Sequence, residues 1–263
     1  MSRIKAISQP SWRARAADPP KQTPMIDQIA FDADDTLWHN EPLYLEVQNR
    51  FKELLSGYHS PEWIDKTLFD TEMRNLSHFG YGIKAFTLSM IETAIELTEG
   101  RICAAEIHKI IEFAREMLNT ELPLLEGVEE TLALLAQSHD LMIITKGDLL
   151  DQEAKLARSG LQRFIKHSEV VSDKTRNSYA SILSRHGIEP ARFLMIGNSL
   201  KSDILPVLEL GGRAVYIPYA LTWSHENAID RELPQQGFYQ LEHIGLLPDL
   251  LQEIDEGSRA ETG

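Results

Sequence analysis

A doubly wound parallel α/β sheet, with an all-helical domain inserted after its first strand, is the fold class that this sequence predicts. Three observations predict it. Short apolar runs at 28–31, 140–145 and 193–197 break off abruptly into polar residues, as buried parallel strands do at the edge of a sheet. Beyond residue 121, stretches with apolar residues at helical spacing alternate with those runs, and such alternation favours parallel strands with helices on both faces. Residues 41–120 show helical periodicity with no strand signal, and they are too long for a connection inside one α/β unit. The expected division is therefore an α/β core at 25–40 and 121–254 and a helical cap at 41–120, with disordered ends at 1–24 and 255–263.

The stretch around which the chain is organised is Gln28-Ile29-Ala30-Phe31-Asp32-Ala33-Asp34-Asp35-Thr36-Leu37-Trp38. An apolar strand runs straight into three carboxylates and a threonine, at the sheet edge where open α/β folds bind ligands. Alternation along an extended backbone sends Asp32 and Asp34 to the same side. Two carboxylates that converge repel, and they call for a cation between them or a shared proton. The plain alternative is an Asp-rich turn after a strand.

With 26 basic and 40 acidic residues among 263, the formal charge is −14, which disfavours nucleic acid and anionic membrane as partners. No apolar run approaches a membrane span. Cys103 is the only cysteine, so no internal disulfide can form, and a cytoplasmic location is expected. Residues 1–24 carry Arg3, Lys5, Arg13, Arg15 and Lys21 against Asp18, with several prolines and no apolar segment. A secretory signal is therefore not expected; the stretch reads as a disordered extension or an unnatural start site or, more loosely, as a transit peptide. The sequence says nothing of oligomeric state.

Within the insertion, Leu43, Tyr44, Val47, Phe51, Leu54 and Leu55 mark a first helix. Ser60-Pro61-Glu62 opens a second, with Ser60 as cap and Pro61 at the first position. Two more are expected at about 84–98 and 104–119, separated by a break at Gly100. His78-Phe79-Gly80-Tyr81-Gly82 reads either as a loop reaching toward a substrate or as an ordinary turn between helices. Lys84 reads as a solvated lysine.

Beyond Gly127 a helix is expected at 128–138, followed by a buried strand that ends in the hydroxyl of Thr145. Lys146 reads as a phosphate neighbour or a surface lysine, and Gly147 suits an unusual backbone angle. A helix at 150–159 precedes a short strand at 169–171 and a loop that holds Lys174. A further helix ends near Gly187. Phe193-Leu194-Met195-Ile196-Gly197-Asn198 is again an apolar strand that meets Gly and polar residues, with Asp203 five residues beyond Asn198. A strand at 211–218 follows, then a loop with Trp223 and His225, and a closing strand-end and helix at 243–250.

The Asp-x-Asp-x-Thr of Asp32, Asp34 and Thr36 resembles the first signature of the haloacid dehalogenase (HAD) superfamily. In chain order Thr145 resembles the second signature and Lys174 the third, and the Asn198 to Asp203 stretch resembles the fourth. The resemblance implies a Rossmann-like core and an enzyme in which Asp32 is the nucleophile that forms an aspartyl-phosphate, with Asp34 as general acid and then base. It implies that Thr145 and Lys174 hold phosphoryl oxygens, with Lys146 as a further substrate contact. Mg²⁺ would be bound by Asp32, the backbone carbonyl of Asp34 and Asp203, with Asn198 as a possible further ligand. Asn198 stands where the family usually has an acid, and it brings an oxygen without the charge. The implied function is a Mg²⁺-dependent phosphatase acting on a small phosphorylated metabolite. The alternatives are a 2-haloacid dehalogenase, a phosphonatase using Lys84, or a phosphometabolite-binding protein without turnover.

Overall fold

The computed structural model describes residues 25–221 and 236–260. The expectations for 1–24, Trp223, His225 and 261–263 fall outside them. Six strands form one parallel sheet among the described residues, in the order β3-β2-β1-β4-β5-β6. They are β1 (Gln28–Phe31), β2 (Asp140–Lys146), β3 (His167–Val171), β4 (Phe193–Gly197), β5 (Arg213–Tyr216) and β6 (Phe238–Gln240). β1 lies inside the sheet, where Phe31 pairs with Ile143 on one side and Ile196 on the other. That register brings the polar residues just after β1, β2 and β4 to one edge.

Successive side chains of a strand face opposite sides, and each side has its own apolar layer. Ile29, Phe31, Leu141, Ile143 and Leu194 pack with α5 (Val128–Leu135), Leu156 of α6 (Leu149–Ser159) and the closing helix α9 (Leu247–Ala260). Ala30, Met142, Ile144, Phe193 and Met195 pack on the other face with α7 (Arg176–His186) and α8 (Leu205–Leu208). Between β1 and β2 stand α1 (Glu41–Leu55), α2 (Pro61–Phe79), α3 (Ile83–Leu97) and α4 (Ala104–Asn119). These four helices share a separate apolar core built on Phe51, Ile64, Phe86, Met90 and Met117. Ser60 caps α2 by accepting from the Trp63 N–H, and Pro61 is its first residue.

Four local expectations change. α2 continues to Phe79, so His78 and Phe79 are helical and the loop is Gly80–Gly82 alone. β6 is an additional strand; it has three residues, none of them buried, too short and too exposed to register as an apolar run. The helix that Ile204, Val207 and Leu208 mark in the sequence before β5 begins as a π turn at Leu200–Ile204. Residues 255–260, expected in a disordered tail, belong to α9, because Leu247, Leu251 and Ile254 anchor that helix on the sheet and the polar residues continue it. No helix among the described residues is long and apolar enough to cross a membrane.

Candidate active site

The turn after β1 is built tightly. The Leu37 N–H donates to the Ala33 carbonyl at 2.8 Å, and the Asp35 N–H donates to the Trp38 carbonyl at 2.8 Å. Asp35 takes a left-handed φ of 60°, a conformation that Asp tolerates better than most residues. Its carboxylate accepts from the backbone N–H groups of Asn40 and Glu41, at 2.9 and 3.0 Å, and so secures the start of α1. This leaves Asp32 and Asp34 facing the C-terminal edge of the sheet.

Asp32 is 8% exposed and ion-paired with Lys174, which reaches it from the loop after β3. The same ammonium lies 2.7 Å from Asp203 Oδ1. The Ser199 N–H donates to the other Asp203 oxygen at 3.0 Å. Gly197 permits this approach: a Cβ there would lie 2.2 Å from Asp203 Oδ2. Burial opposes the charge on Lys174, yet Asp203 and Asp32 outweigh it and push its pKa up to about 12. Burial likewise raises the Asp32 carboxyl, with Lys174 pulling it back down and Asp203 pushing it up. The Thr36 hydroxyl, 3.4 Å from Asp32 Oδ2 and 3.3 Å from Asn198 Oδ1, buttresses the turn against the end of β4.

Asp34 is held by a different set of donors. Trp38 Nε1 donates to its Oδ1 at 2.7 Å and Gln152 Nε2 to its Oδ2 at 2.9 Å, and Lys155 Nζ lies 3.1 Å from Oδ1. Thr145 is 2% exposed, and its hydroxyl lies 3.4 Å from Gln152 Oε1. The Lys146 ammonium lies 2.9 Å from Ser202 Oγ and 4.2 Å over the Tyr81 ring. Lys146 is therefore half-buried beside the site.

All seven residues singled out from the sequence, Asp32, Asp34, Thr145, Lys146, Lys174, Asn198 and Asp203, line one cavity of about 1110 Å³ that opens to solvent. α1, α2, α3 and the Gly80–Gly82 loop supply the opposite wall, including Glu41, Tyr44, Glu72, Tyr81 and Phe86. Lys84 is elsewhere: its ammonium pairs with Asp148 at 2.9 Å, and it does not line the cavity. Trp38, Asn40, Gln152 and Lys155 escaped sequence reasoning. Gln152 and Lys155 sit in an amphipathic helix whose polar positions read as solvated, and nothing local distinguishes a buried lysine from an exposed one.

Among the described residues no group of three or more His, Cys, Asp or Glu side chains could hold a metal ion. Beside Lys174, at the ends of β1 and β4, the carboxylates of Asp32 and Asp203 and the amide of Asn198 bring oxygen donors to the cavity. Such hard donors, with only two charges, suit an ion that keeps waters and completes its shell with a substrate phosphate, as Mg²⁺ does.

A family model described as haloacid dehalogenase-like hydrolase matches residues 26–211. A haloacid dehalogenase-like family hydrolase from Xanthomonas campestris is 39% identical, with a TM-score of 0.80 over 93% of this chain and 97% of that one. A 2-haloacid dehalogenase from Pseudomonas syringae is 20% identical, with a TM-score of 0.59 over 87% of this chain and 99% of its own. A predicted phosphoglycolate phosphatase from Haemophilus somnus is 17% identical, with a TM-score of 0.58 over 86% and 97%. These two more distant structures share the fold. No curated protein matches the sequence. The family match over most of the chain, the sheet with helices on both faces and the close structural relative lead to one conclusion: this protein belongs to the haloacid dehalogenase-like hydrolases.

Proposed function

We propose that this hydrolase is a Mg²⁺-dependent phosphatase that acts on a small phosphorylated metabolite through an aspartyl-phosphate. The observation that carries the reading is the pair of carboxyls after β1, one paired with Lys174 and the other held separately by Trp38, Gln152 and Lys155. Two such environments suit two roles. An oxygen of Asp32 attacks phosphorus while protonated Asp34 gives its proton to the departing oxygen of the substrate. Asp34, now a carboxylate, takes a proton from water, whose oxygen attacks the same phosphorus; phosphate leaves and Asp32 is regenerated. Lys174 offsets charge on Asp32 and on the phosphoryl group together, and Thr145 and Lys146 stand beside the same cavity to hold its oxygens.

Mg²⁺, held by Asp32, Asp203, the Asp34 carbonyl and Asn198, would supply the positive charge that lets an anionic nucleophile approach an anionic phosphate. The helical insertion would act as the cap, closing over substrate and excluding water. A cytoplasmic location suits a soluble phosphometabolite as substrate. A dehalogenase uses the first Asp against carbon and needs neither the second carboxyl nor a metal, so the elaborate fixing of Asp34 favours the phosphatase. Phosphate release from a panel of phosphorylated metabolites, with and without Mg²⁺, tests the reading. No release from any of them, or chloride release from a 2-haloacid instead, overturns it.

A further inference from the structure

We propose that Lys155 is a positioning residue that ties the orientation of the Asp34 carboxyl to the root of the helical insertion at Asn40. The inference rests on Asp34 being the proton donor and acceptor of the reaction. Lys155 is 4% exposed, and it does not line the cavity, so it reaches substrate only through another residue. A lysine is seldom buried unless its charge is paired. This one has three acceptors for three N–H bonds: Asp34 at 3.1 Å, Asp151 at 3.2 Å and Asn40 Oδ1 at 2.9 Å. Burial works against its charge, but Asp34 and Asp151 together keep its pKa above the ordinary lysine value.

The third contact sets this arrangement apart from a plain ion pair. Asn40 immediately precedes α1, where the chain leaves the core for the insertion, and its own N–H is held by Asp35 at 2.9 Å. Trp38, another donor to Asp34, lies two residues before it. One ammonium therefore spans the carboxyl that handles the proton and the point about which the insertion would move. A shift of α1 that draws Asn40 away changes the donor set around Lys155 and hence the direction in which Asp34 is held. Misplacement of a reacting group by about 1 Å can cost on the order of 10²-fold in rate, so this link is strong enough to matter.

The test measures single-turnover phosphorylation with an alkyl phosphate, which needs a proton on its leaving oxygen, and with p-nitrophenyl phosphate, which hardly does. Lys155→Met should slow the alkyl substrate by on the order of 10²-fold and p-nitrophenyl phosphate much less, with KM little changed. Lys155→Met/Asp151→Asn, which removes the carboxylate that the single change strands, should show the same split and secures folding. Asn40→Ala, which removes the third acceptor of the ammonium and leaves Asp34 itself unchanged, should reproduce the split at smaller size. Adding it to Lys155→Met should cost little more, because both act through one ammonium. Equal losses on the two substrates, or additive losses in the combined variant, overturn the proposal. A crystal structure of Lys155→Met/Asp151→Asn should show the Asp34 carboxyl turned from its place, and an unmoved carboxyl also overturns it. That second readout decides the matter even if the parent hydrolyses no phosphate ester, a result that would sink the function and not the link.

Discussion

On and just behind the sheet wall of the cavity, carboxylates share buried lysines. Asp32 and Asp203 share Lys174, and Asp34 and Asp151 share Lys155. On the helical wall, Glu41 and Glu72 border the same space, and the charges that act on them are all negative. Burial, with Asp35 and Asp34 adding to it, pushes Glu41 up to about 7, and burial with Glu41 pushes Glu72 up to about 8. The sheet wall holds its charges at fixed positions before any substrate arrives, which suits groups that must stabilise a transition state. The helical wall holds carboxyls whose charge depends on pH and on what enters.

The comparison breaks most completely at the nucleophile. Asp32→Asn should reduce phosphate release to background while the circular dichroism spectrum and a cooperative melt persist, since no packing group is lost. Parental activity in that variant would show that the sheet wall does not act through Asp32. Lys174→Met removes the shared ammonium and leaves two buried carboxylates facing each other. Urea denaturation should show a loss of roughly 3–5 kcal/mol, the scale for breaking a buried pair, and Lys174→Met/Asp203→Asn should recover part of it. An unchanged midpoint would mean that the fixed charges of this wall do not hold it together.

Asp34→Asn should lower kcat by at least ~10²-fold on an alkyl phosphate, with a smaller loss of phosphorylation rate on p-nitrophenyl phosphate. Equal losses in single-turnover phosphorylation would remove Asp34 from the proton-transfer role. Asn198→Asp adds a charge to the sheet wall and should tighten Mg²⁺ in the free protein, whereas Asp203→Asn should weaken it. Calorimetric titration reads both, and unchanged affinity in Asn198→Asp would show that residue 198 does not face the ion.

The smallest effect sharpens the other wall. Glu72 has a folded pKa of about 8, above the ordinary value of 4.5. The folded state therefore keeps its proton while the unfolded state loses it, and stability falls as pH rises from about 4.5 to about 8. Glu72→Gln removes that slope. Its melting temperature relative to the parent should rise between pH 5 and pH 8, and a constant difference would show that Glu72 ionises freely in the folded protein.

The elements that hydrophobic pattern specifies were legible with near-correct boundaries. The strand expected at 140–145 is Asp140–Lys146, and the helices expected at 84–98 and 104–119 are Ile83–Leu97 and Ala104–Asn119. Phe238–Gln240 was not legible, because a half-exposed edge strand of three residues has no pattern to read. The polar end of α9 was misread for a related reason: its helix is held by Leu251 and Ile254 on the sheet, and the residues beyond them carry no apolar signal.

The sequence by itself determined where the strands end and which polar residues stand at those ends, because burial of alternating or periodic side chains is a local property of the chain. The strand ends exposed Asp32, Asp34, Thr145 and Asn198, and the resemblance to the haloacid dehalogenase signatures, read in chain order, added Lys174 and Asp203. Only the tertiary structure decided which charges meet. Lys174 reaches Asp32 across 142 residues, and Lys155 reaches Asp34 across 121. A lysine in a polar helix position has the same local signature whether it ends in water or between buried carboxylates. What separates the two is the desolvation that long-range packing imposes, and with it the need for a partner.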